Sequence, residues 1–295
     1  MYERYFHFAS KPFAMNPDPG FLYPSSQHAA ALTMLEYAME SQAQFCLLTG
    51  EIGSGKTTLL RHFLRNLGDR ITVGLISNTH AQFRSIHPWA LSALGIVPQD
   101  DSDIALYEAL NDFFVREYAR GRRTLMVIDE AHNLSPPILE ELRLLSNVNS
   151  EGDLSLQVLL VGQPELRAKL EQPELEQFAQ RVSVDFHLGP LTLNDASAYI
   201  AHRLSKAGGD SSLFPAEAIA FVHARARGIP RLINQLCDLA LVYAFAEQQP
   251  IINVQLLQHV LTDRKQRGAM PLFGRHRSAA RTLADTTAAL GSDRG

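Results

Sequence analysis

Five short apolar runs punctuate the chain: Phe45 to Leu48, Ile71 to Ile76, Leu125 to Ile128, Leu156 to Val161 and Val182 to Leu188. Rich in Leu, Ile and Val and too short for helices, they predict strands buried on both faces. Between them, apolar residues recur three and four positions apart, around Lys56 to Leu67, Ile86 to Leu94, Ile104 to Tyr118, Pro136 to Asn147 and Glu165 to Leu170. That is the period of amphipathic helices. Strands alternating with helices imply right-handed crossovers, so the expected fold class is α/β, a three-layer parallel sheet with helices on both faces. After Pro190 the strand signal stops. Asn194 to Lys206, Pro215 to Ala226, Arg231 to Ala246 and Val254 to Lys265 read as helices, which predicts a small all-α domain with its boundary near Gly189-Pro190. Ahead of the sheet, Ser25 and Ser26 can cap a helix with apolar positions Ala29, Leu32, Leu35 and Met39. Residues 1–24 are aromatic and proline-rich, and Asn16-Pro17-Asp18-Pro19-Gly20 predicts turns and excludes a regular helix there.

With 295 residues, 46% of them hydrophobic, the chain can bury one large or two modest domains. No stretch approaches the roughly 18 uncharged apolar residues that a membrane span requires. The richest segment, Leu236 to Ala246, carries Asp238. The start, Met1-Tyr2-Glu3-Arg4-Tyr5-Phe6, lacks the basic and apolar regions of a signal peptide, so a cytoplasmic site of action is expected. Cys46 and Cys237 sit in apolar runs without metal or disulfide spacing and are expected in the core. Trp89 is expected to pack between helix and sheet.

Net charge is −4, unevenly spread. From Arg264 onward, seven arginines or lysines face two aspartates, so a +5 tail follows a body of −9. Such a tail, rich in Gly, Ala, Ser and Thr, reads as disordered and solvated, and it offers a surface to anionic lipid, an acidic protein or nucleic acid. The acidic body argues against a broad nucleic-acid face.

The chemistry begins at Gly50-Glu51-Ile52-Gly53-Ser54-Gly55-Lys56-Thr57, a complete G-x-x-x-x-G-K-[ST] pattern after a predicted strand and before a predicted helix. Glycines at 50, 53 and 55 let the backbone turn its N–H groups toward a phosphate, and the helix start, through Thr58, adds partial positive charge. Lys56 is placed to reach the β- and γ-phosphates and the Thr57 hydroxyl to ligate Mg²⁺. Further on, Leu125-Met126-Val127-Ile128-Asp129-Glu130 has the shape of a Walker B strand. Asp129 would hold the Mg²⁺, and Glu130 would orient and polarise the attacking water. The second acid predicts hydrolysis rather than nucleotide holding alone. Eleven histidines are scattered without metal-ligand spacing, so ATP with Mg²⁺ is the cofactor set expected.

The order of these motifs, with a polar residue after the fourth strand, an arginine before the fifth and Gly228-Ile229-Pro230-Arg231 in the helical part, resembles an AAA+ ATPase. Within that superfamily, Asn16-Pro17-Asp18-Pro19 with Phe21-Leu22-Tyr23, the run Asp129-Glu130-Ala131-His132-Asn133-Leu134 and Val161-Gly162-Gln163-Pro164-Glu165-Leu166 resemble the general-secretion-pathway protein A (ExeA-like) family. The match spans about residues 1–265. It implies an N-terminal segment over 1–24, an AAA+ core over 25–189, a helical lid over 190–265 and a basic tail over 266–295. Gln163 falls at the first sensor, Arg181 at an arginine finger reaching into a neighbouring subunit, and Arg231 at a second sensor through which the lid feels the γ-phosphate. Tyr23 and His28 fall near the adenine. Longer members of the family continue into a membrane anchor and a peptidoglycan-binding part. Their lack here implies the short, cytosolic form, a homo-oligomer serving protein components of a bacterial envelope export system, cytoplasmic or peripheral at the inner membrane. A DNA-transaction ATPase and a nucleotide-sensing adaptor with little turnover are the alternatives.

Overall fold

The computed structural model describes residues 1–15, 23–77, 79, 84–148 and 156–266. The run from Asn16 to Leu22 and the basic tail beyond Gln266 lie outside the described residues. Five strands form one parallel sheet in the order β2-β3-β4-β1-β5: β1 (Phe45–Gly50), β2 (Ile71–Ile76), β3 (Arg123–Ile128), β4 (Leu156–Gly162) and β5 (Val182–Leu188). Each apolar run of the sequence is one of these strands. They read as continuous runs because both faces are covered. Phe45, Leu47, Met126, Ile128, Val158 and Leu160 point to one core, with helices α4 (His87–Leu94), α5 (Asp103–Ala119), α6 (Pro136–Leu145) and α7 (Pro164–Leu170). Cys46, Leu48, Leu125, Val127, Leu159 and Val161 point to the other, against α2 (Ser26–Glu40) and α3 (Lys56–Arg65). This is the α/β layering expected of an AAA+ core.

A third core binds the later helices: α9 (Leu193–Lys206), α10 (Ala216–Ala226), α11 (Pro230–Ala246) and α12 (Val254–Gln266). Between β4 and β5, α7 is followed by a 3-10 turn, Pro173–Leu175, and a further turn of helix, α8 (Glu176–Ala179). The start of the chain joins the third core, since Tyr2, Phe8 and Phe13 are buried among these helices and the Tyr2 hydroxyl donates to Asp238. Here the structure departs from the sequence reading in two ways. Residues Tyr2–Tyr5 form one helical turn, α1, where no helix was expected, because tertiary burial of Tyr2 overrides the weak local signal. Trp89 is 43% exposed on the outer side of α4, while Ile86, Ala90 and Leu91 take the buried side. Both cysteines are free and buried, and burial pushes the Cys46 thiol up to about 12. No helix of the described residues is long and apolar enough to cross a membrane.

Local chemistry sets the element ends near the site. The Ser25 hydroxyl accepts from the His28 N–H and opens α2. Gly228 has φ +69°, and a Cβ there would lie 2.3 Å from the Leu191 carbonyl oxygen, so only glycine fits the turn that delivers Pro230 to the first position of α11. At the far edge of the sheet, the Glu117 carboxylate is buried between Arg122 (2.6 and 2.7 Å), Arg120 (3.1 Å) and the Thr72 hydroxyl, tying the end of α5 to β2. The paired Arg122 guanidinium holds the Glu117 carboxyl down to about 2, from an ordinary 4.5. A group depressed on folding stabilises the fold above its unfolded value and loses that contribution as pH falls through its folded value. Unfolding by urea should therefore show wild-type stability falling as pH drops from about 4.5 toward about 2. Glu117→Gln should be less stable than wild type at pH 7, with the gap closing across that window.

Candidate nucleotide site

The parallel order places the carboxyl ends of β1, β3 and β4 side by side, with β4 paired to both neighbours. Ligand crevices of open α/β sheets form at such carboxyl ends. Here a cleft of ≈ 410 Å³ opens between this edge and the later helices, lined by Ile52, Gly53, Gly55, Lys56, Thr57, Thr58, Glu130, Gln163 and Arg231. Nine of the positions singled out in the sequence therefore meet in one place. Tyr23 and His28 line it as well. Gly50, Glu51 and Ser54 complete the loop beneath.

The loop leaves β1 and enters α3 through Gly55, whose φ of +103° and Gly53's +84° are conformations that side-chain-bearing residues rarely hold. As N-cap of α3, Gly55 offers no side-chain acceptor to the first turn, whose N–H groups point outward with the helix dipole behind them. A Cβ at Gly50 would come 2.7 Å from the Leu188 carbonyl oxygen, and one at Gly55 would come 2.7 Å from His28 Nε2. The glycines thus allow the close approach that a phosphate cradle needs. The Lys56 ammonium is buried and donates to the carbonyls of Gly50 (2.6 Å) and Glu51 (3.0 Å), holding the loop closed. Burial lowers its pKa, and the carboxylates of Glu130 and Asp129 work against that shift.

Asp129 follows β3 directly and is buried, which raises its pKa, while a hydrogen bond from the Thr57 side chain and the charge of Lys56 pull it back. A carboxylate beside a threonine hydroxyl is a hard-oxygen donor set of the kind Mg²⁺ takes, so these residues fit the ion the sequence implies. Glu130 stands next in the left-handed region, φ 54° and ψ 33°, with its side chain about half exposed to the cleft. Its turn is over-determined: the Glu130 N–H donates to Asp129 Oδ1 (2.9 Å), and the Thr79 hydroxyl donates to the Glu130 carbonyl (2.6 Å). Gln163 follows β4 as the N-cap residue of α7.

Arg231 joins the two halves of the cleft. Its N–H donates to the Gly53 carbonyl (3.2 Å), and its side chain occupies the space beside Gly53, where a Cβ would lie 2.4 Å from Arg231 Cβ. Arg181 lies elsewhere. Its guanidinium donates to the Arg143 carbonyl (3.2 Å), Ser146 Oγ (3.0 Å) and Asn147 Oδ1 (2.8 Å), at the end of α6 and outside its own chain's cleft.

Sequence reasoning missed one wall. Tyr199, Arg203 and Asn234 line the cleft with Ala14 and Met15 of the N-terminal segment. Arg203 is buried and donates to the carbonyls of Pro12 and Ala14 (3.2 Å to the latter) and to the Tyr199 hydroxyl (3.1 Å), which in turn donates to Asn234 Oδ1 (2.8 Å). The available signal was a cation at helical spacing within the apolar stripe Ala196, Tyr199, Ile200, Leu204.

Residues 39–170 match the AAA domain family, and general secretion pathway protein A of Aeromonas hydrophila is 38% identical to the chain across 247 residues. The chain belongs to the AAA+ family, in its general-secretion-pathway-protein-A-like branch. That alignment covers 83% of this AAA+ chain and 45% of the Aeromonas protein, so the chain spans less than half the length of its relative. Among solved structures, Cdc6p of Pyrobaculum aerophilum superposes with a TM-score of 0.62 at 17% identity, over 83% of this chain and 71% of that one. The ORC2 protein of Aeropyrum pernix gives 0.61 at 15%, over 87% and 72%. At these identities the likeness is one of fold: an AAA+ core followed by helices.

The contact between Gly53 and Arg231 yields a direct test. Gly53→Ala sets a methyl group where the Arg231 stem packs, at a backbone angle unfavourable to alanine, so the start of α11 should be pushed off the loop. Hydrogen exchange should quicken at Arg231 to Asn234 and the thermal midpoint should fall by several degrees, whereas Gly68→Ala, with open space around it, should change neither.

Proposed function

We propose that the protein is an oligomeric ATPase that converts ATP binding and hydrolysis into movement of its helical part, in the service of a bacterial envelope export system. Members of the AAA+ family are ATPases, and one observation carries the reading for this chain. The glycine loop, Glu130 after β3, Gln163 after β4 and Arg231 of α11 all line a single cleft, and Asp129 lies against Thr57 at the end of the loop. In this reading residues 25–189 are the hydrolysing body and 190–265 the lid. Backbone N–H groups of the loop and Lys56 bind the phosphates, and Thr57 and Asp129 hold Mg²⁺. The ion, when bound, neutralises charge on the β- and γ-phosphate oxygens. The Glu130 carboxylate takes the proton of the attacking water, Gln163 orients that water or the γ-phosphate, and Arg231 carries the state of the phosphates to α11 through its bond with Gly53. Arg181, outside its own cleft, serves a neighbour's, where a guanidinium stabilises charge developing on the transferred phosphoryl group.

The export role rests on the relative's name, and a partner among export components follows from it. The working location is the cytoplasm or the inner-membrane surface, with the basic tail as the contact to anionic lipid or an acidic protein.

Steady-state hydrolysis tests the reading. Lys56→Ala should abolish ATP binding by calorimetry. Glu130→Gln should keep ATP affinity and lose about 10²- to 10⁴-fold in kcat, as removal of a general base does. If wild type turns over no faster than Glu130→Gln, the protein is a nucleotide-sensing adaptor instead. For the trans contact, specific activity should climb with protein concentration, and Arg181→Ala should cost about 10³-fold or more and flatten that dependence. Proportional activity at every dilution with an unaltered Arg181→Ala variant removes the contact between subunits. Stimulation by DNA with a steep inverse salt dependence, in place of stimulation by anionic vesicles, reassigns the partner to nucleic acid.

A further inference from the structure

The two stretches that most resemble the secretion branch, Asp129 to Leu134 and Val161 to Leu166, end adjacent strands, and one imidazole joins them. His132 lies in the 3-10 turn Ala131–Asn133 directly after Glu130, with its side chain 15% exposed. Its Nε2 stands 2.9 Å from Gln163 Nε2, and its Nδ1 stands 3.4 Å from Glu130 Oε2. The Gln163 backbone N–H also faces Nδ1, at 3.5 Å, a distance at the margin of bonding. Two nitrogens 2.9 Å apart require one to donate. A neutral Nε2 accepting from the Gln163 amide leaves the proton on Nδ1, toward the Glu130 carboxylate. This tautomer leaves the Gln163 backbone N–H without an acceptor on the ring, whereas the opposite one would satisfy that N–H but set a lone pair against the carboxylate and need the Gln163 amide oxygen, not its nitrogen, beside Nε2.

The turn that carries the ring is fixed from three sides. Lys169 Nζ, on α7, donates to the carbonyls of His132 (2.6 Å) and Leu134, clamping the turn to the helix that begins at Gln163. Asn133 Nδ2 donates to the Thr79 carbonyl (3.2 Å). A Cβ at Gly162 would come 3.2 Å from the His132 backbone nitrogen and 2.9 Å from Leu166, so the glycine before Gln163 gives the turn its close seat on β4. Glu130, by contrast, has its backbone pinned and its side chain about half exposed, so its rotamer is held chiefly by what it meets in the cleft.

We propose that His132 is a positioning residue that couples Glu130 to Gln163, so that the base and the sensor take up their working geometry together. This rests on the ATP-hydrolysis reading above. A sensor that shifts on meeting the γ-phosphate then draws the imidazole, and with it the carboxylate, into line. Without the ring, Glu130 and Gln163 answer separately. A misplacement of about 1 Å in a reacting group can cost on the order of 10²-fold in rate.

The test uses the full chain, with kcat, KM and equilibrium binding of a fluorescent ATP analogue measured for wild type, His132→Ala, His132→Gln, Gln163→Ala and the double variant His132→Ala/Gln163→Ala. His132→Ala should lower kcat about 10- to 100-fold while affinity for the analogue stays within about 2-fold. His132→Gln, whose amide can accept and donate at once, should recover most of the rate. The double variant should be no slower than the slower single one, because both break the same link. Wild-type kcat in His132→Ala, or losses that multiply in the double variant, would overturn the coupling while leaving the ATPase reading intact. No hydrolysis by wild type overturns that reading first. Should His132→Ala fail to fold, Gln163→Ala breaks the link from its other end, and an unchanged kcat there overturns the proposal equally.

Discussion

Leu156–Gly162 pairs with Phe45–Gly50 on one side and with Thr124–Ile128 on the other, all in the same direction, and this pairing of β4 between β1 and β3 is the constraint on which the cleft depends. Parallel strands end together, so the residue after each strand emerges on one edge. The glycine loop, Asp129-Glu130 and Gln163 are far apart in sequence and become neighbours only because β4 is inserted. The insertion is held by burial: every residue of β4 is buried, and the apolar ones alternate between the two cores. The one polar side chain within it, Gln157, donates to the carbonyls of Ala38 and Ala43 at 3.1 Å each, so even this position helps to pin the strand to the end of α2. Precision at the edge is inherited from packing in the middle.

The helical part meets this edge through two arginines that differ in kind. Arg231 is exposed and touches the loop with both its backbone and its stem. Arg203 is buried, and its cost in lost hydration is offset by hydrogen bonds to the Pro12 and Ala14 carbonyls and to Tyr199. Carbonyl oxygens with no cation beside them would otherwise be left in a poorly solvated wall. The first residues of the chain are thereby fastened to the helices that follow the sheet, and their apolar side chains join that core. A movement of α11 relative to the loop would carry this N-terminal wall along with it, since the first residues of the chain, α9 and α11 share one set of contacts.

Much of this was legible in the residues. All five strands and the helices after Pro190 follow from runs and periods that burial on two faces or one makes visible, and element ends moved by a residue or two where a cap decides them. The loop and the acids were legible because their chemistry requires fixed residue types at fixed spacing. What escaped was contact between distant segments. Nothing local in Tyr2 to Phe13 says that these residues pack on helices some 190 positions later, as the bond between Arg203 and Pro12 shows. Trp89 was misplaced for a related reason. Size alone points to the large aromatic as the residue to bury, whereas the helix turns Ile86, Ala90 and Leu91 inward, and periodicity is the better guide than size.

Arg181 marks the boundary of what one chain can contain. A guanidinium bonded to a helix-end carbonyl, a serine hydroxyl and an asparagine oxygen is well satisfied, and it could serve purely to cap α6. Yet Ser146 also donates to the Arg143 carbonyl at 2.6 Å, and Gln44 donates to the Ser146 carbonyl at 2.9 Å, so that end of α6 already has donors of its own. The cap therefore does not require an arginine; a planar, permanently charged fork is more than the contact asks for. The charge of Arg181 also acts on the nearby Glu140 carboxylate, so the guanidinium has a local counter-charge as well as its hydrogen bonds, and under the proposed reading the same group, held on a fixed turn between α8 and β5, is the one that would meet a neighbour's phosphates.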